Sequence, residues 1–110
     1  MGSSPEDRLH PDLDLPKYLN FEQPEIVRLF AVLSVEALQV DHPAHEYFGQ
    51  RLDRVRDAFR RGLEQWHPEP ERTAAQLIAY LDGLQILWLR DPSTPALALW
   101  SDCADRLLAT

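Results

Sequence analysis

An all-α fold follows from three observations on this chain of 110 residues. Apolar residues recur at spacings of three and four and never alternate over a run, as a half-buried strand requires. Prolines stand at the heads of the periodic blocks, at Pro24, Pro43 and Pro95, where a missing N–H leaves no helical bond unmade. Between the blocks lie short turn sequences: Val40-Asp41-His42, His67-Pro68-Glu69-Pro70 and Asp91-Pro92-Ser93. The length fits one domain. Such a chain buries roughly two-thirds of its unfolded surface, enough for a core without metal or disulfides.

The elements follow in order. Residues 1–20 carry Pro5, Pro11 and Pro16 among Asp7, Asp12 and Asp14, and read as a flexible lead-in with at most a helical turn near Pro16–Leu19. Met1–Ser4 reads as residues added for expression and is given no structural weight. The helical domain is expected over 21–110. Its first helix is predicted from Pro24 to Leu38, with Ile26, Phe30, Leu33 and Ala37 on one face and Val27, Leu29 and Val32 widening it. A second is predicted from Pro43 to Gln65, where Ala44, Phe48, Leu52, Val55, Phe59 and Leu63 keep the spacing. Its polar face pairs Asp57 with Arg61 in the favourable i,i+4 orientation.

The third helix, Glu71 to Arg90, is the most informative. Leu77, Ile78, Leu81, Leu84, Leu87 and Trp88 make one broad apolar stripe, and Ala75, Ala79, Gly83 and Ile86 make a second. A surface helix of a small monomer buries one stripe and wets the rest. Two apolar faces imply two partners, and small residues let a second helix approach closely. Gly83 costs roughly 0.5–1 kcal/mol against Ala in a helix interior, which close approach would offset. A last helix is predicted to follow Thr94 as N-cap and Pro95 as first residue, ending near Ala109, with Leu97, Trp100, Ala104, Leu107 and Leu108 as its stripe. The short turn before it makes the last two helices antiparallel.

Charge narrows the partners. The net charge of −7 repels phosphate backbones, so this chain by itself is a poor binder of nucleic acid. A single cysteine, Cys103, excludes an internal disulfide framework and fits a reducing compartment. No run reaches the roughly 18 apolar residues of a membrane span, and the N-terminus has no signal-peptide core. A cytoplasmic protein without membrane association is expected.

Catalytic and metal signals are weak. His42 and His45 with Glu46 match no zinc-hydrolase spacing and read as capping groups. Glu36 stands among apolar residues in SVEAL, where a carboxylate buried enough to have a raised pKa could act as an acid or base. The simpler reading is a carboxylate at the helix edge bonded to a neighbour such as His45 or Arg51. Cys103 has no adjacent base, Ser34 lacks a nucleophile-elbow context, and the glycines are isolated. Neither an enzyme nor a metal or cofactor site is expected. The aromatics Phe30, Tyr47, Phe48, Phe59 and Tyr80 fall on faces that would point inward in a bundle of these helices.

The blocks IVRLFAVLSVEAL, DHPAHEYFGQRLDRVR and AAQLIAYLDGLQILWLRDPS, in that order and spacing, resemble the C-terminal regulatory domain of TetR-family transcriptional repressors of the actinobacterial type. The resemblance covers Pro24 to the end. It implies an antiparallel helical bundle whose last two helices pair with their mates into a dimeric four-helix bundle. It further implies a pocket for a hydrophobic or amphipathic small-molecule effector, and a parent protein that binds operator DNA through an N-terminal helix-turn-helix. No helix-turn-helix precedes residue 24, so the expectation is an excised regulatory domain, a naturally truncated relative being the alternative. The expected ligand-binding residues are Phe30, Leu33, Glu36, Tyr47, Phe48, Arg51, Val55, Phe59, Tyr80 and Leu84. The expected homodimer residues are Ala75, Ala79, Gly83, Ile86, Leu87, Leu97, Trp100, Ala104 and Leu108. The rival readings are a stand-alone protein-interaction module and a small helical enzyme using Glu36 with His42 or His45.

Overall fold

Local sequence sets where each helix starts, and a computed structural model shows how the helices meet. It describes residues 23–109; the lead-in expected at 1–20 and the turn at Pro16–Leu19 lie outside them. The described residues form four α-helices and no strand: α1 (Pro24–Glu36), α2 (His45–Leu63), α3 (Pro70–Arg90) and α4 (Ala96–Leu108). None is long and apolar enough to cross a membrane.

Pro24 and Pro70 occupy first-turn positions of α1 and α3, as a residue without an N–H should. Pro43 does not. The chain stays in a turn until His45, because His42 caps it twice: its carbonyl accepts the His45 N–H and its Nδ1 accepts the Ala44 N–H, both at 3.0 Å. Thr94 is not the N-cap of α4 either. Pro95 holds that position without a side-chain bond, while the Thr94 carbonyl accepts the Ala96 N–H at 2.8 Å. On α2, Asp57 gathers two arginines, Arg60 at 2.7 Å and Arg61 at 2.9 Å, and Arg60 also reaches Glu64.

Helix α3 is central, packing against α2 on one side and α4 on the other, with α1 resting on it more lightly. The core takes Val55, Phe59 and Leu63 from α2, Ala74, Leu77, Ile78, Leu81 and Leu84 from α3, and Ala96, Trp100, Ala104 and Leu108 from α4. Phe59, Leu63, Leu77 and Leu108 are completely enclosed. Each such side chain contributes about 1.5–3 kcal/mol relative to exposure. From α1 and the turn after it, only Val27 and Ala37 are buried.

Two polar contacts fix the direction of α4. The His67 Nε2–H donates to the Leu107 carbonyl at 2.9 Å, while its Nδ1 accepts the Glu69 N–H at 3.1 Å. The start of α3 thereby meets the end of α4. Further along, the Tyr80 hydroxyl donates to the Leu99 carbonyl at 3.1 Å. The five-residue connection Asp91–Pro95 closes the other end, so the two helices run antiparallel.

The two faces expected on α3 are physically distinct. Leu77, Ile78, Leu81 and Leu84 point into the subunit, whereas Ala75, Ala79, Gly83, Ile86 and Leu87 lie on its surface with Leu97 of α4. Three of the expected dimer residues need correction. Trp100, Ala104 and Leu108 are at most 4% exposed, because the stripe of α4 is used against α3 within the subunit. A partner could not touch them without opening the core. Within the subunit, Gly83 does not serve close packing, since a Cβ built there would meet nothing within 4 Å.

Candidate ligand groove

Because α1 rests lightly on α3, a groove of about 640 Å³ is left between α1, α2 and α3. That volume is within the range of small-molecule sites, about 300–1,000 Å³. Helical spacing on each element builds its walls. Helix α1 supplies Ile26, Val27, Phe30, Ala31, Ser34 and Val35, and the turn after it supplies Ala37 and Leu38. From α2 come His45, Tyr47, Phe48, Gly49, Arg51, Leu52 and Val55, and from α3 come Ile78, Leu81, Asp82 and Gln85.

Three aromatic rings cluster on its wall. Phe30 meets Phe48 edge-on at 6.1 Å between centroids, and Tyr47 meets Phe48 edge-on at 5.1 Å. Such edge contacts satisfy the ring quadrupoles and hold the rings in place. The Arg51 guanidinium lies over the Phe30 ring, 5.8 Å from its centroid. At this distance the positive charge is attracted to the ring face. Asp82 faces the same groove from α3. Desolvation by its surroundings pushes its carboxyl above the ordinary 3.8, and the Arg51 charge opposes that rise. His45 donates from Nδ1 to the Ala37 carbonyl at 2.7 Å, pinning the end of α1 to the start of α2. The Ser34 hydroxyl donates to the Ala31 carbonyl at 2.9 Å and keeps its oxygen as an acceptor.

Half of the expected ligand residues meet here: Phe30, Tyr47, Phe48, Arg51 and Val55. The others need correction. Phe59 and Leu84 are core residues at 0% and 4% exposure. Tyr80 turns toward α4 through its bond to Leu99. Leu33 is half-buried outside the groove lining. Glu36 faces solvent and is not a buried acid; its carboxylate lies 4.0 Å from His42 Nε2. The inward-pointing aromatic set is likewise corrected, since Phe30, Tyr47 and Tyr80 remain substantially exposed.

Sequence reasoning expected α3 to contribute Tyr80 and Leu84 and missed the residues that line the groove from it. Ile78, Leu81, Asp82 and Gln85 fall at spacings of three and four, so polar Asp82 and Gln85 continue an apolar stripe. That polar continuation was the available signal for a wall facing a solvated groove. His45 was expected as a capping group or a neighbour of Glu36, not as part of the groove. Among the described residues, no three of His, Cys, Asp and Glu gather as a metal site would require. Cys103 is buried on α4, away from the groove, and burial raises its thiol pKa against the pull of Arg106. The groove therefore offers apolar side chains, three aromatic rings, one guanidinium and one partly desolvated carboxyl.

No family model, no curated protein and no solved structure matches this chain.

Proposed function

We propose that this chain is an effector-sensing and self-associating module of the kind that ends TetR-family regulators, the parent protein reading operator DNA through an N-terminal helix-turn-helix. The groove between α1, α2 and α3 carries this reading. Its apolar floor and few polar groups suit a hydrophobic or amphipathic effector. The surface face of α3, with Ala75, Ala79 and Gly83 beside Ile86 and Leu87, supports homodimerisation. Small residues there let a second helix come near, and the adjoining Ile86 and Leu87 supply apolar area.

Helix α1 is the element an effector would reposition. It buries Val27 alone, so shifting it breaks few core contacts. In this reading the DNA-binding heads connect to its N-terminal end, and a shift would change their spacing along successive major grooves. The effector acts only through its differential affinity for the two placements of α1.

Binding of the neutral fluorophore N-phenyl-1-naphthylamine tests the groove. Emission should rise with native protein and fall back in Ala31→Phe, which fills the groove from α1. Absence of binding, or binding indifferent to Ala31→Phe, would refute the groove. Sedimentation at micromolar concentration tests the dimer, and a clean monomer would remove that half of the proposal.

A second reading, a stand-alone protein-interaction module, is favoured by one observation. Leu29, Val32, Leu38 and Val40 are 48–82% exposed on α1 and the turn after it. Co-purification of two differently tagged copies of the chain separates the readings. Self-association favours the regulator, and its absence favours a module for another protein.

A further inference from the structure

The groove has a chemical polarity that narrows its ligand, an inference that rests on the groove being a binding site. Arg51 is half-buried on its wall. None of the salt bridges among the described residues uses its guanidinium. The Phe30 ring holds that guanidinium over the groove instead of letting it swing through solvent. A guanidinium keeps its charge at any physiological pH and presents a planar fork of donors that matches a carboxylate. Apolar side chains line the groove with it: Ile26 and Phe30 from α1, Val55 from α2, Ile78 and Leu81 from α3. The surrounding helix reinforces the sign. Although the chain carries −7 in total, α2 has five arginines against three carboxylates.

We infer that the groove takes an amphipathic monocarboxylate, its acid group on the Arg51 guanidinium and its aliphatic tail along Ile26, Val55 and Leu81. A cationic amphiphile fits less well, because Arg51 already occupies the Phe30 face on which a cation would settle. Asp82 is the second charged group on the groove and would repel the acid when ionised. Desolvation raises its pKa against the pull of the Arg51 charge, so that repulsion eases only as pH falls. Asp82 is therefore a specificity residue: its charge on the groove wall opposes an acid group, a penalty that Asp82→Asn removes.

The test uses decanoate, decanol and decyltrimethylammonium as probes, each below its micelle concentration, titrated calorimetrically into the whole chain. Decanoate should bind more tightly than decanol. Arg51→Gln should weaken decanoate about 10- to 100-fold, the loss of a charge-assisted hydrogen bond, and leave decanol unchanged. Asp82→Asn should strengthen decanoate several-fold. If decanol and decanoate bind equally and Arg51→Gln changes neither, the acid assignment is wrong while the groove stands. Preferential binding of decyltrimethylammonium, abolished by Asp82→Asn, would reverse the sign of the ligand. Failure of all three probes together with N-phenyl-1-naphthylamine would remove the groove itself.

Discussion

Gly83 gives a prediction in which two measurements should move in opposite directions. It sits in the middle of α3, on the face turned away from the core, in helical backbone with no positive φ. A Cβ added there meets nothing within 4 Å, so Gly83→Ala introduces no clash in the subunit. The substitution removes the extra conformational freedom of glycine from the unfolded chain and improves helix propensity. The folded subunit should gain about 0.5–1 kcal/mol. For a domain of this size that is a rise of roughly 2–8 °C in Tm, measured at a concentration where the chain is monomeric. If the Ala75–Ala79–Gly83 face meets a second copy, Gly83→Leu should do the reverse to association. Inserting a side chain into a close helix contact costs about 1–3 kcal/mol, and weakens Kd roughly 5- to 150-fold. Sedimentation equilibrium reads that change, with far-ultraviolet circular dichroism as the check that α3 remains helical. Because association itself stabilises the fold, the two effects must be separated by concentration. Gly49 on α2, which is equally free of neighbours, is the internal control: Gly49→Ala should gain the same stability without touching association. An unchanged Kd in Gly83→Leu would refute the close-contact role. A loss of stability in dilute Gly83→Ala would refute the assignment of open space.

Three further outcomes test the packing and the charges. Phe59→Ala should cost about 3–5 kcal/mol in urea unfolding, since the ring is fully enclosed between α2 and α3; a cost under about 1 kcal/mol would mean the core is not closed there. Asp82 contributes a pH dependence of defined sign. Its folded pKa lies above the ordinary 3.8, so the folded state holds the proton more tightly and stability falls as pH rises from 3.8 through the folded value. Asp82→Asn should accordingly stabilise the chain at pH 7 and lose that advantage toward pH 4, whereas a difference that grows on acidification would contradict the desolvation account. Cys103, buried and with its thiol pKa raised, should resist Ellman's reagent in the native chain at pH 8 and react promptly in denaturant; rapid native reaction would place the thiol at the surface.

Helix positions were legible in the sequence because the signals are local. Pro24 lies in the first turn of α1 as expected, and the spacing of Val55, Phe59 and Leu63 requires only a helix; Pro70, read as the last turn residue, is instead the first residue of α3. Pro43 and Thr94 misled because a competing local bond won. In the first case His42 captured the turn, and in the second the Thr94 carbonyl, not its hydroxyl, made the capping contact. Site residues were legible only in part for a different reason. Periodicity gives a side chain's direction about its own helix axis and says nothing of which neighbour stands there. Phe48 and Phe59 share one face of α2, yet Phe48 lines the groove and Phe59 closes the core.

The sequence by itself determined an all-helical chain, the approximate bounds of its four helices, and the division of α3 into two apolar faces, because propensity, proline chemistry and period act within one segment. Only the tertiary structure decided how those faces are used. It committed Trp100, Ala104 and Leu108 to the subunit core, since α4 folds back on α3 and a stripe once buried cannot also face a partner. It left α1 lightly packed, and the space beneath that helix brings Arg51 and Asp82, from two different helices, to one groove.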